Sequence, residues 1–231
     1  MKVLIISGTN HKGSTYHTAR LVAEKITSAD NISEVFLPRD FDQFCLGCTS
    51  CFGKGDNTCP HYDRLRPITE KIDAADVIIM SSPVYVYHAT GQMKALLDHY
   101  GWRWMVHRPD ERMFSKQAVI VATAAGAGMK STIKDMAGSC FFWGIPKTYK
   151  LGMAVRAVSW DTVDSGRKAK LEKKTDSIAK KILRREGKVR VPLKTKGFFN
   201  LMRLIQRSGW NKTDVDYWKE KGWTGKKRPW K

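Results

Sequence analysis

No stretch of the 231-residue chain is long and apolar enough to cross a bilayer, and the opening MKVLIISGTN is too short an apolar run for a signal peptide. These two absences lead us to expect a cytoplasmic protein. Neither GxGxxG nor the GKS/GKT ending of an ATP-binding P-loop occurs, and there is no internal repeat or low-complexity tract. No Ser-His-Asp or paired-carboxylate arrangement stands out, so nothing points to hydrolysis by the protein's own side chains. Acids are scarce, 22 against 41 Lys and Arg, for a formal net charge of +19. Cysteine is scarce too, but four of the five lie within FCLGCTSCFGKGDNTCP at 44–60. In a cytoplasmic chain such a cluster speaks for metal or redox chemistry over disulfide staples, and an odd total agrees.

With 42% hydrophobic residues the chain has the material for a packed core and is long enough for one α/β domain plus an extension. The positive charge is concentrated late. Residues 187–231 hold thirteen basic and three acidic residues, a net of +10, and RKAKLEKKTDSIAKKILRRE precedes them at 167–186. Such a surface attracts nucleic acid, anionic lipid, acidic proteins or phosphorylated ligands without choosing among them.

Short apolar runs predict strands at 2–7, 34–37, 77–82, 117–124 and 148–155. Helices are predicted between them: from a cap at Ser14 or Thr15 to about Ser28, then at 63–73, 91–99, 130–142 and 161–185. Ala19, Val22, Ala23 and Ile26 form the buried stripe of the first helix. This alternation predicts a parallel, doubly wound sheet covered by helices on both faces. The alternation stops at Gly187. GFFNLMRLIQRSGW reads as an amphipathic helix, followed by a stretch bearing Trp210, Trp218, Trp223 and Trp230. We therefore expect an α/β domain over 1–186 and a basic, Trp-rich helical extension over 187–231.

Ligands of a doubly wound sheet bind beyond the carboxyl ends of its strands. SGTNHKGST (7–15) offers hydroxyls and a helix N-terminus suited to a phosphate. SSPVYVYHATGQMK (81–94) offers a stiff exit and two tyrosines, which either meet a flat ring or pack beneath the loop. ATAAGAGMKST (122–132) is small enough for close backbone approach. In order and spacing these three segments resemble the flavodoxin-like NAD(P)H-dependent FMN reductases. The most specific match is Pro83, Val84, Tyr85, Gly91, Lys94 and Asp98.

The resemblance covers about residues 1–185 and implies a five-stranded sheet of order 2-1-3-4-5. It also implies FMN, with its phosphate on Thr9, His11, Ser14 and Thr15 and its ring system on Pro83, Val84, Tyr85, Val86, Ala124, Ala125 and Gly126. His11 stands where many members carry arginine.

The spacing Cys45-x2-Cys48-x2-Cys51-x7-Cys59 by itself admits several readings: an iron–sulfur cluster, structural zinc, a thiol redox pair, or reduced cysteines with no metal. A subgroup of the same family, the iron–sulfur flavoproteins, looks the same at this place. That resemblance favours a [4Fe–4S] cluster on Cys45, Cys48, Cys51 and Cys59. Cys140 is expected to be a small buried hydrophobe. His107 and Arg108 are expected either to shape a subunit interface or cover the flavin, or to be solvated surface charges.

By this reading the protein is an FMN-dependent oxidoreductase. It passes electrons from NAD(P)H, or from a ferredoxin-type donor, to an acceptor the sequence does not name. The resemblance further implies a homo-oligomer, a dimer or tetramer. Two alternatives stand beside it. One is a non-catalytic electron carrier, which the positive charge disfavours. The other is a flavin domain whose basic tail binds nucleic acid or membrane. For the tail we favour packing of Phe198, Phe199, Leu201, Leu204 and the tryptophans back onto their own domain or a neighbouring subunit.

Overall fold

The computed structural model describes residues 1–230, and among them no helix is long and apolar enough to cross a membrane. Five parallel strands form one sheet: β1 (Val3–Ser7), β2 (Ile32–Phe36), β3 (Val77–Pro83), β4 (Gln117–Ala124) and β5 (Lys147–Ala154), in the order β2-β1-β3-β4-β5. This is the flavodoxin-like order. β1 is buried on every residue and β3 on all but its last, as expected of central parallel strands covered on both faces.

The two faces follow the period-2 alternation of the strand sequences. Leu4, Ile6, Ile78, Met80, Ala118 and Ile120 point to one side. There they meet α3 (Tyr62–Ala74), α4 (Gly91–Asp98) and α5 (Met129–Phe142) through residues such as Leu65, Ile72, Leu96 and Met136. Val3, Ile5, Val77, Ile79, Val119 and Val121 point to the other side, against α1 (Ser14–Glu24) and α6 (Ser165–Leu183). The stripe Ala19, Val22, Ala23 and Ile26 is buried as its spacing requires. Each fully buried Val, Leu or Ile contributes roughly 1.5–3 kcal/mol relative to exposure, so these two layers dominate stability.

Three local expectations are corrected. The residue before α1 is Gly13, with no side-chain cap, so Ser14 and Thr15 lie inside the helix. The regular helix stops at Glu24, and α6 begins at Ser165, capped by the Asp164 carboxylate, which accepts from the Arg167 amide. The tail forms α7 (Leu193–Arg207), starting earlier than its apolar residues announce, and α8 (Lys212–Glu220). Phe199, Met202, Trp218 and Trp223 of this tail are buried in a third apolar cluster with Met105 and Phe114. The expected packing of the tail onto its own domain holds for Phe198, Phe199, Trp218, Trp223 and Trp230, but Leu201, Leu204 and Trp210 are each more than half exposed.

Candidate functional site

Three crossover loops converge at the carboxyl edge of the sheet. Gly8 is pinned there: its amide donates to the Ser81 carbonyl (2.7 Å) and its carbonyl accepts from the Thr90 hydroxyl (2.7 Å). A Cβ on Gly8 would lie 2.7 Å from that hydroxyl oxygen, so only glycine allows the approach. Beyond it a cleft opens between Thr9, His11, Gly13, Ser14 and Thr15 on one side and Pro83, Val84 and Tyr85 on the other. Thr123, Ala124, Ala125, Val155, Ala157 and Val158 complete it.

Of the eleven residues expected at FMN, nine therefore line one cleft. Val86 and Gly126 do not line it. Val86 sits at a turn tip, 93% exposed with φ 47°, so its side chain points into solvent. Neither Tyr85 nor Tyr87 packs beneath the loop; both are more than half exposed. Sequence reasoning missed the loop after β5, and it placed Thr123 in a ligand loop without naming it as a site residue. Thr123 and Thr15 share a 2.6 Å hydroxyl–hydroxyl bond that ties the start of α1 to the end of β4.

The cleft fits FMN on two observations. The first turn of α1 has no side-chain cap, so its free N–H groups and positive dipole end meet whatever anion enters. Ala124, Ala125 and Ala157 at the exits of β4 and β5 are small, which leaves room along one wall for a flat ring system.

The cysteine loop lies elsewhere on the surface. Cys45, Cys48, Cys51 and Cys59 line a single depression with Phe52, His61 and His99. Cys45 and Cys48 are exposed and Cys51 and Cys59 half-buried, all four as free thiols. Thr49 (φ 57°), Gly47 (φ 66°) and Gly55 (φ 118°) supply the left-handed turns that wrap the loop around the one-turn helix α2 (Ser50–Gly53).

Burial pushes the Cys51 thiol up, and the charges of Cys59, Cys45 and Cys48 push it further, with the Arg108 guanidinium working the other way. Burial also raises Cys59, while bonds from the Ser50 amide and hydroxyl lower Cys48. Four thiols lining one depression fit a group carrying several positive metal ions. They fit a single ion less well, because zinc at about 2.3 Å from each sulfur needs sulfurs about 3.8 Å apart. Among the described residues the one set of three such ligands within 4.8 Å of one another is Cys59, His61 and His99, not three cysteines.

The two histidines satisfy each other. His99 Nδ1 donates to the Ala95 carbonyl (2.7 Å), which leaves its Nε2 to accept from His61 Nδ1 (2.9 Å). Burial lowers the His99 pKa.

Arg108 is not a solvated charge. Its guanidinium is buried, paired with the fully buried Asp214 of α8, and it donates to the Cys51 carbonyl. His107 Nδ1 meets the other carboxylate oxygen of Asp214 at 2.7 Å. Cys140 is fully buried, and burial pushes its thiol up to about 12, as expected of an inert core residue.

The family described as NADPH-dependent FMN reductase matches residues 1–149. A protein named iron–sulfur flavoprotein from Archaeoglobus fulgidus is 27% identical over 205 residues, 84% of this chain and 86% of the relative. A second protein of that name and organism is 32% identical over 99 residues, 42% of this chain and 48% of the relative, so the match spans about half of that relative's length. An FMN-dependent NADH-azoreductase from Bacillus anthracis, solved with FMN, superposes with a TM-score of 0.58 at 12% identity, over 79% of this chain and 100% of the other. At that identity the likeness shows the fold alone.

Proposed function

The chain belongs to the NADPH-dependent FMN reductase family, and from that premise we propose an FMN oxidoreductase that also carries a [4Fe–4S] cluster on Cys45, Cys48, Cys51 and Cys59. It takes electrons from NAD(P)H or a ferredoxin-type donor and delivers them to an acceptor of still open chemistry. The observation that carries this reading is the pairing of two built sites on one chain. One is a cleft at the strand ends beside an uncapped helix N-terminus. The other is a depression lined by four free thiols.

FMN and the cluster supply the redox chemistry, a two-electron exchange with a nicotinamide and single-electron transfer respectively. The chain's own residues bind and orient. The Thr9, Ser14 and Thr15 hydroxyls and the first N–H groups of α1 hold the phosphate, with His11 at the rim. Pro83, Val84 and Tyr85 form one wall of the ring site, and Ala124, Ala125 and Val155 the other. The choice between neighbouring poses falls to these walls, since no Lys, Arg, Asp or Glu lines the cleft.

Residues 1–186 carry these sites, and 187–231 form the extension. The exposed Tyr85 and Val158 at the cleft, with Val86 and Tyr87 beside it, support a homo-oligomer in which a second copy covers this edge.

The test is a visible spectrum of protein purified without oxygen, followed by steady-state oxidation of NADH and NADPH with an artificial acceptor. Flavin bands with a broad brown shoulder and measurable turnover are expected. A colourless protein that does not take up FMN, or absence of turnover with both nucleotides, overturns the reductase. A flavin-only spectrum removes the cluster.

A further inference from the structure

Side chains from two distant parts of the sequence meet on three consecutive carbonyls of the cysteine loop. A four-residue helix leaves its last carbonyls without intrahelical partners. Here side chains take all of them. Arg108 donates through Nη2 to the Cys51 carbonyl and through Nη1 to the Phe52 carbonyl (3.3 Å). Asn211 Nδ2 also donates to the Phe52 carbonyl (3.3 Å), and the Thr213 hydroxyl donates to the Gly53 carbonyl (2.6 Å).

Behind these contacts stands Asp214. It is fully buried, with one oxygen on Arg108 and the other on His107. The Trp218 indole N–H closes the unit on the His107 carbonyl (2.5 Å), and the Phe52 ring lies 4.6 Å from the His107 ring.

The extension does not need this network in order to stay folded against the domain, because Phe199, Trp218 and Trp223 already anchor it in an apolar cluster. A buried ion pair is often no more stable than well-packed apolar residues in its place, so its presence speaks for fixed geometry. What it fixes is the backbone of Cys51.

We propose that α8 of the C-terminal extension is a clamp on the cysteine loop, with Arg108 as the positioning residue through which Asp214 holds Cys51. The clamp also turns the cationic end of the Arg108–Asp214 pair toward the group bound by the four cysteines. The second statement rests on the cluster reading above, and the first does not. The clamp makes the extension a part of the electron-transfer site, although it contributes no ligand. The cation beside Cys51 favours the more negative, reduced form of the bound group and so raises its reduction potential.

The experiment uses the full-length chain, FMN-loaded and purified without oxygen, as wild type and as Arg108→Gln, Arg108→Lys and Thr213→Val. Amide hydrogen exchange over residues 48–54, the midpoint potential of the iron–sulfur absorption, and FMN content are measured. Arg108→Gln is expected to speed exchange of the loop about tenfold or more and to lower the midpoint, with FMN content unchanged. Arg108→Lys is expected to restore the midpoint toward wild type but not the exchange protection, because one ammonium cannot span both carbonyls and the carboxylate. Thr213→Val is expected to speed loop exchange by less and leave the midpoint unchanged.

Wild-type exchange and midpoint in Arg108→Gln overturn the proposal. If that variant does not fold, wild-type loop exchange in Thr213→Val overturns the clamp. If the wild-type chain takes up no iron and sulfide on reconstitution, the cluster reading and the statement about potential fall together, and loop exchange alone decides the clamp.

Discussion

Tyr85 and His88 exchange both backbone hydrogen bonds at 3.0 Å, closing a two-residue turn on Val86 and Tyr87. Both central residues take positive φ, 47° and 64°, in a turn that normally asks for Asn-Gly. The turn is held from outside: the Ser131 hydroxyl donates to the Tyr87 carbonyl, and Asp135 accepts from the Ala89 amide (3.2 Å). A β-branched residue in this region carries strain of order 1–3 kcal/mol.

Val86→Gly is therefore expected to stabilise the chain by about 1 kcal/mol, the relief of strain exceeding the entropy glycine adds to the unfolded state. Urea denaturation with an unchanged m-value measures it. FMN affinity should not fall, because the Val86 side chain lies outside the cleft. A destabilised variant would show that the backbone strain is not there.

His11 stands exposed at the mouth of the cleft, beside the start of α1. A guanidinium can bind phosphate through two parallel charge-assisted bonds, and an imidazole can turn only one ring N–H to the same group. His11→Arg is expected to tighten FMN about tenfold, and His11→Ala to weaken it by less than about tenfold. Fluorescence quenching of free FMN reads both. Equal affinity in all three proteins would place the phosphate away from this rim.

The sheet was legible in the sequence because its three central strands are continuous apolar runs with β-branched residues, a pattern that helices of this length do not copy. The strand order came with the family resemblance and not with the pattern, since periodicity carries no information about which strand lies beside which. The phosphate loop is legible for its hydroxyls, but its helix start is not, because Gly13 precedes α1 without any capping side chain to announce it.

Val155, Ala157 and Val158 were overlooked as cleft residues. An apolar strand end looks the same whether it faces a ligand or a core. The Val86 turn carries none of the glycine or asparagine that would betray it. Least legible was the pairing of Arg108 with Asp214, 106 residues apart, which no local pattern encodes.

Asp110 gives a pH signature. Burial pushes its carboxyl up, but bonds donated by Arg112 and the charge of Arg103 overcome this and bring it down to about 2. Its folded value thus lies below the ordinary 3.8. The unfolded state binds the proton more readily in this window, so the stabilisation is fully present above about pH 4 and lost as pH falls through about 2. Allowing for solvent screening it is on the order of 1–2 kcal/mol. Asp110→Asn is expected to lower stability at pH 7 by about that much and to flatten the acid limb of the stability curve. Parallel acid limbs for the two proteins would show that Asp110 has no special partner.

The two sites are separate enough to be emptied one at a time. Cys51 and Cys59 line the loop depression and none of the cleft. Removing one of four thiolates leaves a cluster with an unfilled corner, which in most proteins is lost or degraded. Cys51→Ser and Cys59→Ser are each expected to lose most of their iron and sulfide while keeping FMN at the wild-type ratio. Cys140→Ser, on the core face of α5, is expected to keep both and to lose only stability, because a hydroxyl is buried there in place of an apolar thiol. Iron, sulfide and flavin counted per chain in the three variants separate a cluster from adventitious metal. Iron that survives Cys51→Ser and Cys59→Ser, or disappears equally in Cys140→Ser, would show that the four loop cysteines do not act as one ligand set.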